Sequence, residues 1–509
     1  MPAALAHTNF TAADWAIVVV YLLGSVAIGV WANRYVANLA DFIVAGRGLK
    51  VALAVATMTG TELGLVTVMY NAQEGYTRGF SAYMIGVCWF LAYLSIGLTG
   101  FIVFRLRQSG VMTIPEYYER RYSRRTRVLG GAILALSGIL NMGLFLQAGS
   151  RFVAHVTGLS AGTPLKLVMT GMLVLVLIYT TLGGMISVVI TDLVQFIVLG
   201  LSMVVATVAA VRYVDWGHMI GAVQEFRGQG GLDPFVSPPD GYGWLYMVWM
   251  VYVGLAAGTL WQAGTFRALA ARSPRVAKQM YAWSSITFLS RVVLPATWGI
   301  AALAYIAQTP ELSSFFLARG APSWSGQIAM PVFFAHNLPP IFLGILTAGM
   351  MAAFMSTHDS YLLAWSAVIT QDVIAPLRRR PLSDRGRILV TRVLIVAIGI
   401  FLLVWGLWFE ARTTLWQYMA VTGTIYFAGA FVCVAFGLYW RRASSAGALA
   451  ALACGLVAVL AVAEKDPTRS TLISAGTIGL CLAAMIVGSL LFPRREEPPT
   501  RIGARGEAP

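Results

Sequence analysis

About thirteen times between residues 13 and 492 the sequence runs for roughly twenty residues with hardly a charge, the length a helix needs to cross a bilayer core. Runs so closely spaced leave no polar face for water, so lipid must cover most of the surface. Composition agrees: of 509 residues, 58% are hydrophobic and 11% charged, and the mean hydropathy is +0.74. No long polar block separates the runs, which predicts a single membrane domain over 1–493.

The predicted helices fall near 13–33, 50–72, 79–105, 128–156, 164–182, 185–212, 243–266, 276–306, 340–372, 389–410, 413–439, 444–463 and 470–492. Successive helices cross in opposite directions, so their loops sort onto two sides. One side carries Arg34, Arg47, Lys50, the cluster Arg105 to Arg127, Arg267 to Lys278, Arg378 to Arg392, Arg441, Arg442 and the tail, roughly 26 of the 36 Lys and Arg; roughly nine lie on the other. Basic loops are retained in the cytoplasm, which predicts the N-terminus outside, the C-terminus inside, and a bacterial-type cytoplasmic membrane as the location. The net charge of +15 is thus a topology signal. It is not a nucleic-acid footprint, because no basic helix with interleaved aromatics stands clear of the apolar runs.

Cys88, Cys433, Cys454 and Cys481 all lie in apolar runs, which indicates neither disulfides nor a clustered metal site. The N-terminus has no basic leader, so the first helix is expected to stay in the mature protein. The loops 214–242 and 309–329 are long enough for short surface helices, and the charged, Pro-rich stretch 494–509 is expected to be a disordered cytoplasmic tail. No short repeat is visible, though distant inverted repeats in transporters leave no mark the eye can follow.

A charged group at bilayer depth costs on the order of 3 kcal/mol. Glu62 in the second run, Asp192 in the sixth, Arg291 in the eighth, and Asp359 beside His358 in the ninth each therefore require a purpose. Around Glu62, the small polar residues Thr57, Thr59, Gly60, Thr61 and Gly64 interrupt an apolar run, a composition that lets a membrane helix unwind. Carbonyls freed there could ligate a hard cation or simply line a helix contact. In the ninth run, Ala353, Ser356 and Thr357 share one face. Its hydroxyls suit an alkali-cation cage, and equally suit helix packing. Asp192 follows the turn at Gly183 and Gly184, and either pairs with a basic group inside the bundle or serves an ion path. Arg291 needs a carboxylate, water or substrate, and Glu62 or Asp192 could supply the first.

Four stretches, ALAVATMTGTELG, TIPEYYERRY, YTTLGGMISVVITDLVQ and GMMAAFMSTHDSYLLAWSAVITQDV, together resemble the sodium/solute symporter family, whose members carry sugars, proline, pantothenate, sialic acid, iodide and monocarboxylates. The likeness runs from about Asp41 to Trp440. It implies an all-α membrane fold with a core, about 45–440, of five plus five helices in inverted repeats, one extra helix before it and two after, working by alternating access. It implies a sodium ion held by carbonyls of Ala56, Thr59 and Ala353 and hydroxyls of Ser356 and Thr357, with Asp192 assisting sodium release. The seventh run departs from the sugar carriers, with Ala257 and Gly258 where an aromatic pair is usual. The residues left as candidate substrate contacts are Thr61, Glu62, Gln147, Trp261, Gln262, Tyr418 and Thr422.

The function expected is sodium-coupled import of a small polar solute, with an amino acid or related zwitterion preferred because Glu62 suits an ammonium group and Arg291 a carboxylate. Two alternatives stay open. Glu62 could carry a proton to drive import of a monocarboxylate or another nutrient, or the domain could be a transport-like sensor, though no signalling domain follows the last helix. An enzyme is not expected, since no nucleophile, metal or cofactor motif is found and His358 with Asp359 is only a dipeptide. The partners implied are the solute, sodium and lipid, with no cofactor beyond sodium as coupling ion, no nucleic acid and no obligatory protein partner.

Overall fold

The structure, a computed structural model, describes residues 5 and 7–493 except 160, 161, 320, 323, 409–414 and 465. The predicted disorder of 494–509 lies outside the described residues. Among those described, helices account for every long element, and the sole β feature is an isolated bridge between Leu49 and Ala271. The helices used below are α1 (Ala12–Ala32), α2 (Val51–Glu62), α3 (Leu65–Arg78), α4 (Tyr83–Thr99), α5 (Ile114–Arg121), α6 (Arg124–Met142), α7 (Phe145–Thr157), α8 (Thr163–Tyr213), α9 (Trp244–Leu260), α10 (Gln262–Ala270), α11 (Pro274–Gln308), α12 (Phe342–Val368), α13 (Asp384–Trp408), α14 (Leu415–Tyr439), α15 (Ser445–Gly455) and α16 (Pro467–Leu491). Eight helical spans among the described residues are long and apolar enough to cross a membrane, or nine with the bent pair α9 and α10.

Within the described residues each predicted run falls on helix, and two of the runs are broken. The run 50–72 is broken, as its Thr and Gly content suggested. Leu63 (φ −98°, ψ 62°) and Gly64 (φ −76°, ψ 162°) leave the helical region between α2 and α3. The run 243–266 bends by 51° at Trp261, between α9 and α10. The run 128–156 lies within one span, Arg124–Thr157, in which Gly143 and Leu144 keep right-handed helical backbone where α6 meets α7. The turn expected at Gly183 and Gly184 is present, Gly184 at φ 51° and ψ −143° dividing the stretch labelled α8 into the two expected helices. A Cβ on Gly184 would stand 2.6 Å from both the ring and the carbonyl of Phe42, so glycine serves the close approach as well as the positive φ. Both long loops carry short helices, Trp216–Arg227 in one, Pro310–Phe316 and Ser325–Asn337 in the other.

α12 runs through the centre, fully enclosed from Leu346 to Val368, and packs along α8, α1 and α2. On the other flank, α11 packs on α3 and α4, with stacked aromatics at Trp89, Tyr93 and Phe288 and close backbone approach at three glycines. A Cβ at Gly75, Gly97 or Gly299 would run into the backbone of Ala296, Ala282 or Ala72. Such small-residue contacts let helices approach closely where lipid offers no hydrophobic drive.

Candidate functional site

The two breaks lie side by side, and each creates carbonyls that have lost their helical partners. Side chains supply replacements. At the first break, the Thr61 carbonyl accepts the Thr357 hydroxyl (3.2 Å), while the Glu62 carbonyl accepts from Arg291 (2.8 Å) and from the Thr67 hydroxyl (3.3 Å). At the second, the Gly258 carbonyl accepts the Tyr281 hydroxyl (2.5 Å) and the Thr259 carbonyl that of Thr265 (3.1 Å). Irregular backbone at membrane depth persists only where such partners or a cavity receive it.

A cavity adjoins both breaks. Of the residues singled out in the sequence, Thr61, Glu62, Ala257, Trp261, Arg291 and Thr357 line it. Arg291 points one guanidinium nitrogen at the Glu62 carboxylate (3.3 Å), which settles which carboxylate partners it. Its guanidinium carbon lies 4.6 Å from the Trp89 ring centre and 4.0 Å from that of Phe288, a placement over aromatic faces that stabilises a cation. Across the cavity the Trp261 indole donates to the Tyr361 hydroxyl (2.7 Å). Asn141, Phe145, Tyr361 and Phe427 are among the other wall residues and were not anticipated. Tyr361 was within reach, since it follows Thr357 by one turn on the same face.

Four expected substrate contacts do not line the cavity. Gln262 is fully buried and turns its carboxamide oxygen to the Ile114 N–H (3.0 Å). Successive helical residues diverge by about 100°, so adjacency to Trp261 was no guide to where Gln262 points. The Tyr418 hydroxyl donates to the Leu140 carbonyl (2.7 Å), and Thr422 accepts from Asn141 (2.8 Å), so both brace the wall from behind. Gln147 is buried on α7, two residues beyond the lining Phe145.

Beside the cavity lies a fully enclosed polar cluster. Asp192 accepts hydroxyl bonds from Thr57 of α2 and Ser356 of α12, and a guanidinium bond from Arg267 of α10 (3.0 Å). Arg267 also reaches Ser360 (2.6 Å), Thr57 (3.2 Å) and the Ala263 carbonyl (2.8 Å). Arg267 was counted among the basic loop residues; the structure buries it completely. Asp359 is next in the chain of bonds, accepting from Ser360 (3.0 Å) and Tyr179 (2.7 Å). Gly60 permits this crowding, since a Cβ there would stand 3.1 Å from the Ser356 hydroxyl and 3.5 Å from Asp192. Ala56 and Ala353 are buried on the same two helices. The Thr59 side chain turns away to Thr287 (3.0 Å), and its carbonyl receives the Leu63 N–H (2.8 Å).

Two broken helices, a cavity against both breaks and buried charges beside it define a membrane transporter of the broken-helix type. The model of the sodium:solute symporter family matches residues 42–455, and the chain belongs to that family. Among relatives, the sodium/sialic acid symporter of Aliivibrio fischeri is 24% identical, the match covering 93% of this chain and 91% of that one. The osmoregulated proline transporter of Bacillus subtilis is 22% identical, with 89% of each covered. A longer relative from Drosophila melanogaster, named for sodium-dependent multivitamin transport, is 25% identical over 76% of this chain, which spans 64% of its length. Among solved structures, a sodium-coupled sialic acid symporter in a substrate-bound outward-open state superposes with a TM-score of 0.79 at 17% identity, covering 95% of this chain and 99% of that one. That likeness concerns the fold.

Proposed function

We propose that this chain imports a small zwitterionic solute, an amino acid or a close relative, driven by sodium. Sodium is held by carbonyls of Ala56, Thr59 and Ala353 and by hydroxyls of Ser356 and Thr357; the solute occupies the cavity with its ammonium group at Glu62 and its carboxylate at Arg291. The observation that carries the reading is the position of Thr357. It lines the solute cavity, bonds the carbonyl of the broken α2, and stands next to Ser356, which bonds Asp192. An ion that engages Ser356 and Thr357 therefore acts on the cavity wall directly. Coupling follows if sodium binds the outward-facing state better than the inward-facing one, since a ligand shifts a population only by its differential affinity.

Proline and sialic acid, named for two relatives, both bear a carboxylate, which supports the role given to Arg291. Glu62 already holds a counter-charge in Arg291, which favours sodium over a proton as the driving ion. The asymmetry of basic loops supports a cytoplasmic C-terminus and a bacterial-type cytoplasmic membrane, with 1–493 acting as one transport domain.

The test is uptake of labelled amino acids into proteoliposomes under an imposed sodium gradient. Wild-type protein is expected to accumulate solute only with sodium outside, and Ser356→Ala and Thr357→Ala to lose that dependence. Uptake that follows pH and ignores sodium would transfer the driving role to a proton.

A further inference from the structure

The stretch TIPEYYERRY folds as α5, and the proposed function gives it no task. Yet its first turn is bonded to both working helices. The Thr113 hydroxyl caps α5 by accepting the Glu116 N–H (3.2 Å) and donates to Asp372 (2.9 Å). Asp372 sits in the π-helical turn Ile369–Ile374 that continues α12, the helix of Ser356 and Thr357. One residue on, the Ile114 N–H donates to Gln262, the first residue of α10 after the break at Trp261. Thr113, Asp372 and Gln262 are all buried.

Neighbouring bonds strengthen both ends. Arg127 binds the same Asp372 oxygen (2.8 Å) and the Gln371 carbonyl (2.9 Å). Arg107, in the helix Val103–Gln108, donates to the Ala271 carbonyl just beyond α10 (2.7 Å). Leu49 and Ala271 form the lone β bridge, so the start of α2 is stitched to the end of α10. The far end of α5 is anchored separately, Arg121 donating to the Gly437 carbonyl of α14 (2.8 Å) and Tyr118 meeting Tyr426 (3.0 Å). One turn of backbone thus spans the end of the helix that carries the sodium hydroxyls and the break of the helix that faces the solute. A π-turn is a single over-wide turn, often found at functional sites, and it is the place where α12 can shift register without breaking.

We propose that the Thr113–Ile114 turn is the joint that couples these two helices, with Thr113 and Gln262 as positioning residues. The proposal rests on the assignment of sodium to Ser356 and Thr357. Sodium tightens α12 on α2, the π-turn carries Asp372 with it, and the α5 turn passes the displacement to Gln262 and the break at Trp261. Neither residue touches sodium or solute.

Hydrogen–deuterium exchange on purified full-length protein, in sodium chloride against potassium chloride, tests the joint. Sodium is expected to slow exchange in 365–374 and, through the joint, in 262–272. Thr113→Val keeps the volume but removes both hydroxyl bonds; the sodium response at 365–374 survives and that at 262–272 falls about tenfold, the scale of a lost buried hydrogen bond. Gln262→Met, which removes only the acceptor, does the same, and Thr113→Ser restores the wild-type response. A sodium effect at 262–272 that persists in both Thr113→Val and Gln262→Met overturns the joint. If wild type shows no sodium response at 365–374, the sodium assignment has failed. The joint is then read from potassium samples alone, where Thr113→Val must still speed exchange at 262–272, and an unchanged rate there overturns it.

Discussion

The two buried ion pairs that flank α2 have the same chemistry and opposite surroundings. Arg291 and Glu62 meet at 3.3 Å on the wall of a cavity, and their side chains keep 5% and 12% exposure. Arg267 and Asp192 meet at 3.0 Å with none, and hydroxyls from α2 and α12 fill the remaining bonds. The first pair leaves bonding capacity unused, the Arg291 Nε being buried without a partner. The second is closed. An open pair invites a ligand to complete it, and a closed pair fixes the relative positions of the helices that supply it.

The comparison is most severely tested at Arg267. Arg267→Met strands Asp192 as an unpaired buried charge, and the expected loss is about 3–5 kcal/mol of stability, read as the largest fall in thermal midpoint of the set. Adding Asp192→Asn should return most of it. Arg291→Met strands a carboxylate that cavity water can reach, so about 1–2 kcal/mol is expected, together with complete loss of amino-acid-induced stabilisation. An equal cost for the two arginines would dissolve the distinction. Glu62→Gln keeps shape and hydrogen bonding but removes charge; solute binding by titration is expected to weaken about tenfold or more, with the midpoint scarcely moved. Tyr361→Phe removes the acceptor of the Trp261 indole and is the mildest, about 1 kcal/mol on solute binding and nothing on the apparent sodium affinity.

Much of the first pair was legible. A glutamate among Thr and Gly in an apolar run announces a broken helix, and a lone mid-span arginine announces a partner. The second was half legible. Asp192 stood out, but Arg267 lies in FRALAARSPR, contiguous with loop cations, and charge counting swept it onto the cytoplasmic side. Its burial depends on the 51° bend at Trp261 and on an aspartate 75 residues away, and neither is local information. The pocket suffered similarly. Gln262 was chosen as the neighbour of Trp261, whereas its direction is set by the α5 turn, a contact 148 residues distant. Residues that stand out through composition were found; residues placed by a bend or a distant partner were not.

The glycine seam along α11 has a mechanical consequence. Where Gly75, Gly97 and Gly299 bring backbones against Ala296, Ala282 and Ala72, no side chain exists to swing aside and absorb sliding. α3, α4 and α11 are therefore a single stiff beam, and Arg291 rides on it. On the cavity side the beam stops at Leu63 and Gly64, where the backbone leaves the helix, and a single methyl group on Gly64 would be driven into Thr357.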